Sequence, residues 1–338
     1  MSAAAGDRIT FELPLLSAFE WRTPILRKPL DALEDVVDID KLKEVASRLA
    51  VNKTVIFTLA TSEYRNTTRL WLRAMQALSL ENYIVISGDE ETSFWLKQIK
   101  VQHIKANLSY GDTTHTNSVG FSGKALAICA LKFPVCRLLL RSGLNVIFSD
   151  IDAIWLRNPI NILMSSSSDL AFQGAAFFPQ NISRLWGFTA CTGFFFIRHS
   201  SGALQFMEYC VNKHMKVHDD QFAFNLGLLA GSVRWRNLPN APFDSEELVK
   251  ETFKNLAGQF IRGRLERCRI ETCALPHHQF WRHPWAATRS DHVVVCHPNS
   301  GKSDQEKIQT FVSLIPHARV VQAVTGCPSI HPGGTRAR

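Results

Sequence analysis

Three short runs, TVIFTLATS (residues 54–62), NYIVISGDE (82–90) and NVIFSD (145–150), are almost wholly apolar, rich in β-branched residues, and turn polar or acidic at their ends. A strand with one wetted face alternates apolar and polar residues. A run without that alternation is buried on both faces, as in a parallel sheet covered by helices. Between the first two runs, RNTTRLWLRAMQALSL carries Leu70, Leu72, Met75 and Leu78 at helical spacing. ETSFWLKQI reads as a short helix and VQHIKA as a weaker strand. Residues 121–142, FSGKALAICALKFPVCRLLLRS, read as one helix kinked or broken at Pro134 and stopped by Gly143. The alternation predicts an α/β fold, a Rossmann-like and mostly parallel sheet flanked by helices, with ligands outside the carboxyl ends of the strands. No G-x-G-x-x-G loop is present, which argues against dinucleotide binding.

The rest of the chain is less regular. DLAFQGAAFF, CTGFFFIR and SVRWRNLP read as strands, and SGALQFMEYCVNKHM and QFAFNLGLLA as helices. DHVVVCHPNSG (291–301) reads as a late buried strand, followed by a helix over SDQEKIQTFVSLI. The expected organisation is a leader and helix over residues 1–50, one domain over 51–315, and a disordered tail over 316–338. Within the domain, residues 51–152 form the nucleotide-binding half and 153–315 a mixed half for acceptor and donor sugar.

The third run continues as LNVIFSDIDAIWLRNPI (144–160), and its Asp150 and Asp152 stand at the expected ligand edge. In extended backbone, residues i and i+2 share a face, so the two carboxylates can converge. Two such charges repel, and a divalent cation with oxygen ligands holds them best. The same Asp-Ile-Asp recurs at Asp38–Asp40, inside EDVVDIDKLKEVASRLA, whose helical spacing sends its two carboxylates to different faces. Only the second copy is therefore a candidate metal site.

Composition narrows the partners. Among 338 residues, 46% are hydrophobic and 20% charged, and the net charge of +8 is spread without a basic run, so no nucleic-acid arm is present. It fits a mildly basic surface or a pocket for an anionic small molecule. The eight cysteines include no C-x-x-C pair of the zinc type, and the sequence leaves a Cys268–Cys273 bridge open without supporting it. Sequons at Asn52, Asn66, Asn107 and Asn181 fit a secretory lumen. Against that, MSAAAGDRITFELPLLSAFEWR lacks an apolar signal region and no window reaches a membrane span, so the sequence as written predicts a soluble protein.

VIFSDIDAIWLRNP resembles the signature of the nucleotide-diphospho-sugar transferase family, which includes plant xylosyl- and arabinosyltransferases and a soluble cytoplasmic fucoside galactosyltransferase. Its specific part is Trp155-Leu156-Arg157-Asn158-Pro159. The resemblance extends over about residues 54–315: YIVISGDE with its trailing Asp89, a helix carrying Lys132, CTGFFFIRHSSGALQFMEY, DDQFAFN, and VVVCHPNSGKSDQEK. Cys191 replaces the family's Asn before Thr-Gly. The resemblance implies a retaining transferase of GT-A type, with Asp150, Asp152 and His297 holding Mn²⁺ or Mg²⁺ against the diphosphate of a UDP-sugar. It implies phosphate neutralisation by Lys132, Lys302 and Lys307, contacts to base and ribose from Thr58, Ala60 and Thr61, and a place for Asp89 in the donor site. Ser149 and Ile151 flank Asp150 in the donor site, and Gly193 admits the sugar. Asp220 and Gln221 are the catalytic candidates, facing sugar hydroxyls and the acceptor. Galactose, xylose and arabinose all fit as the sugar, and a glycan or glycoprotein as the acceptor. The family's usual setting is the Golgi lumen; a chain complete as written would be cytoplasmic.

Other readings attach to the same residues. A haloacid-dehalogenase-type phosphohydrolase also places D-x-D after an apolar strand, but Ile154 stands where it has Thr or Val and it has no use for His297. Cys191 fits a catalytically inactive nucleotide- or sugar-binding module. His277, His278 and His283, interleaved with aromatics, read as loop packing rather than a metal set. Asp219-Asp220 also fits a helix start, Lys307 a solvated helical turn, and Phe194–Phe196 the core.

Overall fold

The computed structural model describes residues 33–108, 123–217, 219–236, 238, 243–286, 290–299, 303–315 and 318. Lys302, the first 32 residues and the tail beyond Ala318 lie outside the described residues. In chain order the strands are β1 (Thr54–Ala60), β2 (Tyr83–Ser87), β3 (His103–Lys105), β4 (Asn145–Ser149), β5 (Ile154–Trp155) and β6 (Leu170–Ala175). They continue as β7 (Thr189–Ile197), β8 (Val233–Trp235), β9 (Ile261–Leu265), β10 (Ile270–Leu275), β11 (Phe280–Trp281) and β12 (Val295–Cys296).

Among the described residues, nine strands form one sheet in the order β3-β2-β1-β4-β7-β6-β10-β9-β8. The pairs β3–β2, β2–β1 and β1–β4 are parallel. β7 runs against β4 and β6, β10 runs with β6, and β9 runs against β10 and β8. Only β7 and β9 are thereby reversed, so the sheet is mostly parallel with a mixed far half, the expected α/β class. Alternate side chains feed opposite faces. Phe57, Phe148 and Phe195 join the cluster beneath helices Ile39–Leu49 and Lys132–Arg141. Ile56, Ile147, Phe194 and Phe196 pack with Trp71, Met75 and Trp155 on the other side. The order runs outward from β1 to β3 and then returns to the far edge of β1 for β4. That reversal makes the β1–β4 crevice a topological switch point, where open α/β sheets bind ligands.

Two local expectations are corrected. The segment around Pro134 is two helices, Gly123–Cys129 and Lys132–Arg141, broken before the proline. Pro134 sits in the first turn of the second, where a backbone N–H has no helical partner to lose. The late strand over 291–301 shrinks to β12, outside the main sheet, in a three-stranded sheet ordered β11-β12-β5. Cys268 and Cys273 are free, as are the other described cysteines. Among the described residues, no helix is long and apolar enough to cross a membrane.

Candidate metal and donor site

β4 delivers Asp150 to the switch point, where its backbone N–H donates to the Gly193 carbonyl of β7 at 2.7 Å. The chain then turns rather than staying extended, and the Ala153 N–H closes back on the Asp150 carbonyl at 2.9 Å. The two carboxylates therefore converge through a turn, not through the strand pleat the sequence suggested. After the turn, β5 pairs antiparallel with β12, Cys296 opposite Ile154 and Val295 opposite Trp155. This short pairing brings His297, from far along the chain, against the aspartates. Its Nε2 lies 3.3 Å from Asp152 Oδ1 and 3.9 Å from Asp150 Oδ2. One ligand atom from each of the three residues can be chosen so that all lie within 4.8 Å of one another.

Gly193 supplies the clearance. A Cβ there would stand 1.9 Å from His297 Cε1, 2.6 Å from its Nδ1 and 2.8 Å from Asp150 Oδ2. The room beside Gly193 is therefore taken by the His297 ring and the Asp150 carboxylate rather than by a sugar, which corrects the role expected of this glycine. Two hard carboxylates and one imidazole converging in this way fit Mn²⁺ or Mg²⁺. The Asp38–Asp40 copy behaves as its geometry requires: Asp38 caps helix Ile39–Leu49 by accepting from the Lys41 N–H, and Asp40 lies 3.8 Å from Lys43.

Two lysines flank the carboxylates. Lys307 pairs with Asp152, so it is not merely solvated. Its helix, Asp304–Leu314, starts in a Ser303–Glu306 capping box, and Asp304 accepts from the N–H groups of Asn66 and Thr67. Lys132 is 1% exposed and lies 4.4 Å above the Phe148 ring. It pairs with Asp220 and, at 3.4 Å, with Asp150. Asp219 caps the helix Asp220–Ala230, leaving Asp220 to face the site, where Thr192 Oγ1 donates to it at 2.9 Å. The Asn225 amide bonds both backbone groups of Ala190 and ties that helix to β7. Gln221 Nε2 donates to the Phe178 carbonyl at 2.6 Å.

Burial pushes Asp150 up, and Lys132 only partly offsets it. Burial alone would raise Asp152 too, but Lys307 and His297 outweigh it and hold this carboxyl well below its usual range. Asp220, likewise buried, is brought down to about 2 by Lys132 and Thr192. For Asp219, burial plus the Asp220 charge outweigh the Phe222 N–H and the more weakly acting Lys132, and lift it to about 6. Burial opposes charge on His297, yet Cys191 and Asp152 raise it to about 9. The Cys191 thiol is lowered against its burial by Arg282 and His297.

Lys132→Met would leave Asp150 and Asp220 without their shared cation, and is expected to lower the unfolding free energy by about 3 kcal/mol. Urea titration would read this, with Asp220→Asn in the same chain restoring part of the loss. An unchanged midpoint would mean that the two carboxylates do not need the lysine.

The remaining predicted residues divide. β1 sets Phe57 opposite Phe148, so Ala60 and Thr61 reach the same edge as Asp150. The buried hydroxyls of Thr58 and Thr61 have no hydrogen-bond partner among the described residues. Ile151 is buried in the turn itself. Asp89 lies at the end of β2, capping helix Glu90–Gln98 and accepting from the Ser62 N–H and Lys124; these hold it at about 2 despite burial. The Ser149 hydroxyl is turned inward, accepting from the indoles of Trp71 and Trp155 at 3.0 Å each. Phe194, Phe195 and Phe196 are core. His277 Nε2 accepts from the N–H groups of Arg282 and His283, and His283 Nε2 from that of Ala176. Sequence reasoning missed Arg282, whose Nη1 is 3.1 Å from His297 Nδ1, and Gln173, whose Oε1 is 2.8 Å from the same nitrogen.

A family profile described as "Nucleotide-diphospho-sugar transferase" matches residues 78–311. The arabinosyltransferase RRA2 of Arabidopsis thaliana is 25% identical over 205 residues, which is 55% of this chain and 46% of that protein. The beta-arabinofuranosyltransferase RAY1 of the same plant is 30% identical over 172 residues, 48% of this chain and 30% of that protein. The matched part of the chain thus spans less than half the length of either relative. Among solved structures, the glycosyltransferase GlyE of Streptococcus pneumoniae TIGR4 aligns with a TM-score of 0.34 at 12% identity, covering 51% of this chain and 42% of that one. The WbbM bifunctional glycosyltransferase aligns with a TM-score of 0.39 at 8% identity, covering 80% and 51%. Scores this low leave the fold to the strand order itself. With the profile spanning most of the chain and both aspartates of its signature meeting at the switch point, the chain belongs to the nucleotide-diphospho-sugar transferase family.

Proposed function

We propose that the protein is a metal-dependent, retaining glycosyltransferase that moves arabinose from a UDP-sugar to a glycan or glycoprotein acceptor. The observation that carries this reading is the meeting of Asp150, Asp152 and His297, with the His297 ring seated against Gly193. The choice of arabinose over galactose or xylose leans on the arabinosyltransferase relatives. The three side chains would hold Mn²⁺ or Mg²⁺, which supplies Lewis-acid charge for the diphosphate leaving group. The protein's own part is to fix those ligands, to bring Lys307 and Arg282 to the same anionic position, and to offer the nucleoside the Thr61 hydroxyl, which has no partner among the described residues. Asp220 and Gln221, at the start of one helix, would face the transferred sugar and its acceptor. The phosphohydrolase alternative has no use for His297, which the fold nonetheless brings against both aspartates.

The direct test is UDP release from a panel of UDP-sugars in Mn²⁺ or EDTA, with wild type and Asp152→Ala. Turnover of UDP-arabinose that needs the metal and disappears in the variant is the expected result. Preference for another sugar would correct the donor alone. Absence of both turnover and metal-dependent UDP binding would end the transferase reading.

A further inference from the structure

The buried Gln173 amide on β6 lies behind the candidate metal centre, and its orientation follows from its partners. One end of the amide lies 3.1 Å from the Phe280 carbonyl and 3.3 Å from the Trp281 carbonyl. Carbonyls only accept, so that end is the NH₂ group. The other end is then the oxygen, and it lies 2.8 Å from His297 Nδ1. An amide oxygen only accepts, so Nδ1 must carry a hydrogen, and Nε2, facing Asp150 and Asp152, is the nitrogen left to ligate.

Two other groups approach Nδ1 without changing this. Cys191 Sγ, at 3.6 Å, takes the Gly193 N–H and is at most a weak additional acceptor. Arg282 Nη1 is 3.1 Å from Nδ1 and 3.4 Å from Nε2. A nitrogen that close to both ring nitrogens would strike Cε1 if it lay in the ring plane, so it rides over the ring face. The in-plane partner of Nδ1 is Gln173.

We propose that Gln173 is a positioning residue that fixes the tautomer and ring direction of His297 for divalent-metal ligation. This rests on reading Asp150, Asp152 and His297 as the metal centre. A partner on the distal nitrogen of a ligating histidine orients the ring and raises its basicity, and its loss weakens metal affinity by roughly 10- to 100-fold. The polar interruption of β6 is thereby explained, because the same amide clamps the β11 backbone and the histidine.

The test uses Mn²⁺ binding, read by electron paramagnetic resonance, in wild type, His297→Ala and the near-isosteric Gln173→Met, with thermal melts of each. Both variants are expected to bind Mn²⁺ at least roughly tenfold more weakly. Unchanged binding in His297→Ala would remove the underlying metal reading. Weakened binding there, with wild-type affinity in Gln173→Met, would overturn the positioning role alone. A second measurement needs no Gln173 variant: nitrogen NMR of ¹⁵N-histidine protein loaded with Mg²⁺, with His297 assigned by its loss in His297→Ala. A protonated Nδ1 supports the proposal, and a protonated Nε2 with a bare Nδ1 overturns it.

Discussion

Gly193→Ala is expected to cut donor turnover by about a hundredfold or more and to weaken Mn²⁺ binding in parallel, while the sheet still forms. The backbone is not the obstacle, because Gly193 does not lie in the left-handed region. The obstacle is the methyl group, which would enter the ring position of His297 at 1.9 Å from Cε1 and crowd Asp150 Oδ2 at 2.8 Å. His297 cannot step aside freely: its N–H donates to the Trp281 carbonyl at 2.8 Å, its Nδ1 faces Gln173, and β12 is paired on both edges. Either the imidazole turns away from the aspartates or β7 is pushed from β4, and a ligand set held to within half an ångström tolerates neither. Overpacking of this kind costs about 1–3 kcal/mol in stability, so folded protein should remain to assay. Gly174→Ala on the neighbouring strand is the control, since its added methyl meets Phe253 at an ordinary 3.5 Å. Wild-type Mn²⁺ binding and turnover in Gly193→Ala would show that the chemistry does not need His297 and Asp150 in the positions they take beside this glycine.

The difference between what was legible and what was not follows from range in sequence. β1, β2 and β4 are buried on both faces, so their composition alone announces them, and Asp150 follows directly from β4. β9 and β10 form a hairpin whose first strand alternates buried residues with Arg262 and Arg264, a period-two signal that was obscure because it lasts only five residues and has Gly263 at its middle. The helix Glu246–Leu256 was equally obscure, although Ser245 caps it and Val249, Phe253 and Leu256 give it a buried stripe. His297 could be tied to the aspartates only through a family resemblance. Its approach depends on β5–β12, two residues on each side, which local propensity cannot signal. Gln173 left a clue that went unread: a polar side chain inside the otherwise apolar β6 needs a partner, and that partner was the candidate metal ligand.

Acid is expected to unfold the wall of the site through His277 and His283. Burial depresses both to about 3, aided by Arg282 and, for each, a neighbouring histidine. Each spends its Nε2 lone pair on backbone N–H groups, an arrangement that requires a neutral ring. The unfolded chain returns them to about 6.5, so between pH 3 and 6.5 it binds more protons than the folded one. Their stabilising contribution is therefore complete above pH 6.5 and falls as pH drops towards 3. At pH 5 the loss is about 2 kcal/mol per residue. Asp219 works in the opposite sense. Raised to about 6, it contributes stability that is full below the unfolded carboxyl value and lost as pH rises through 6, returning about 1 kcal/mol at pH 5. Urea unfolding at pH 7.5 and 5.0, in wild type and in a His277→Gln/His283→Gln chain, separates the two effects, because glutamine still accepts the N–H groups but does not titrate. Wild type should lose more stability on acidification than the double variant by about 4 kcal/mol; equal losses would mean that the pair is not buried neutral. Trp281 and Arg282 lie between these histidines and contact His297, so metal affinity should decline with the same acid transition in wild type and less steeply in the variant.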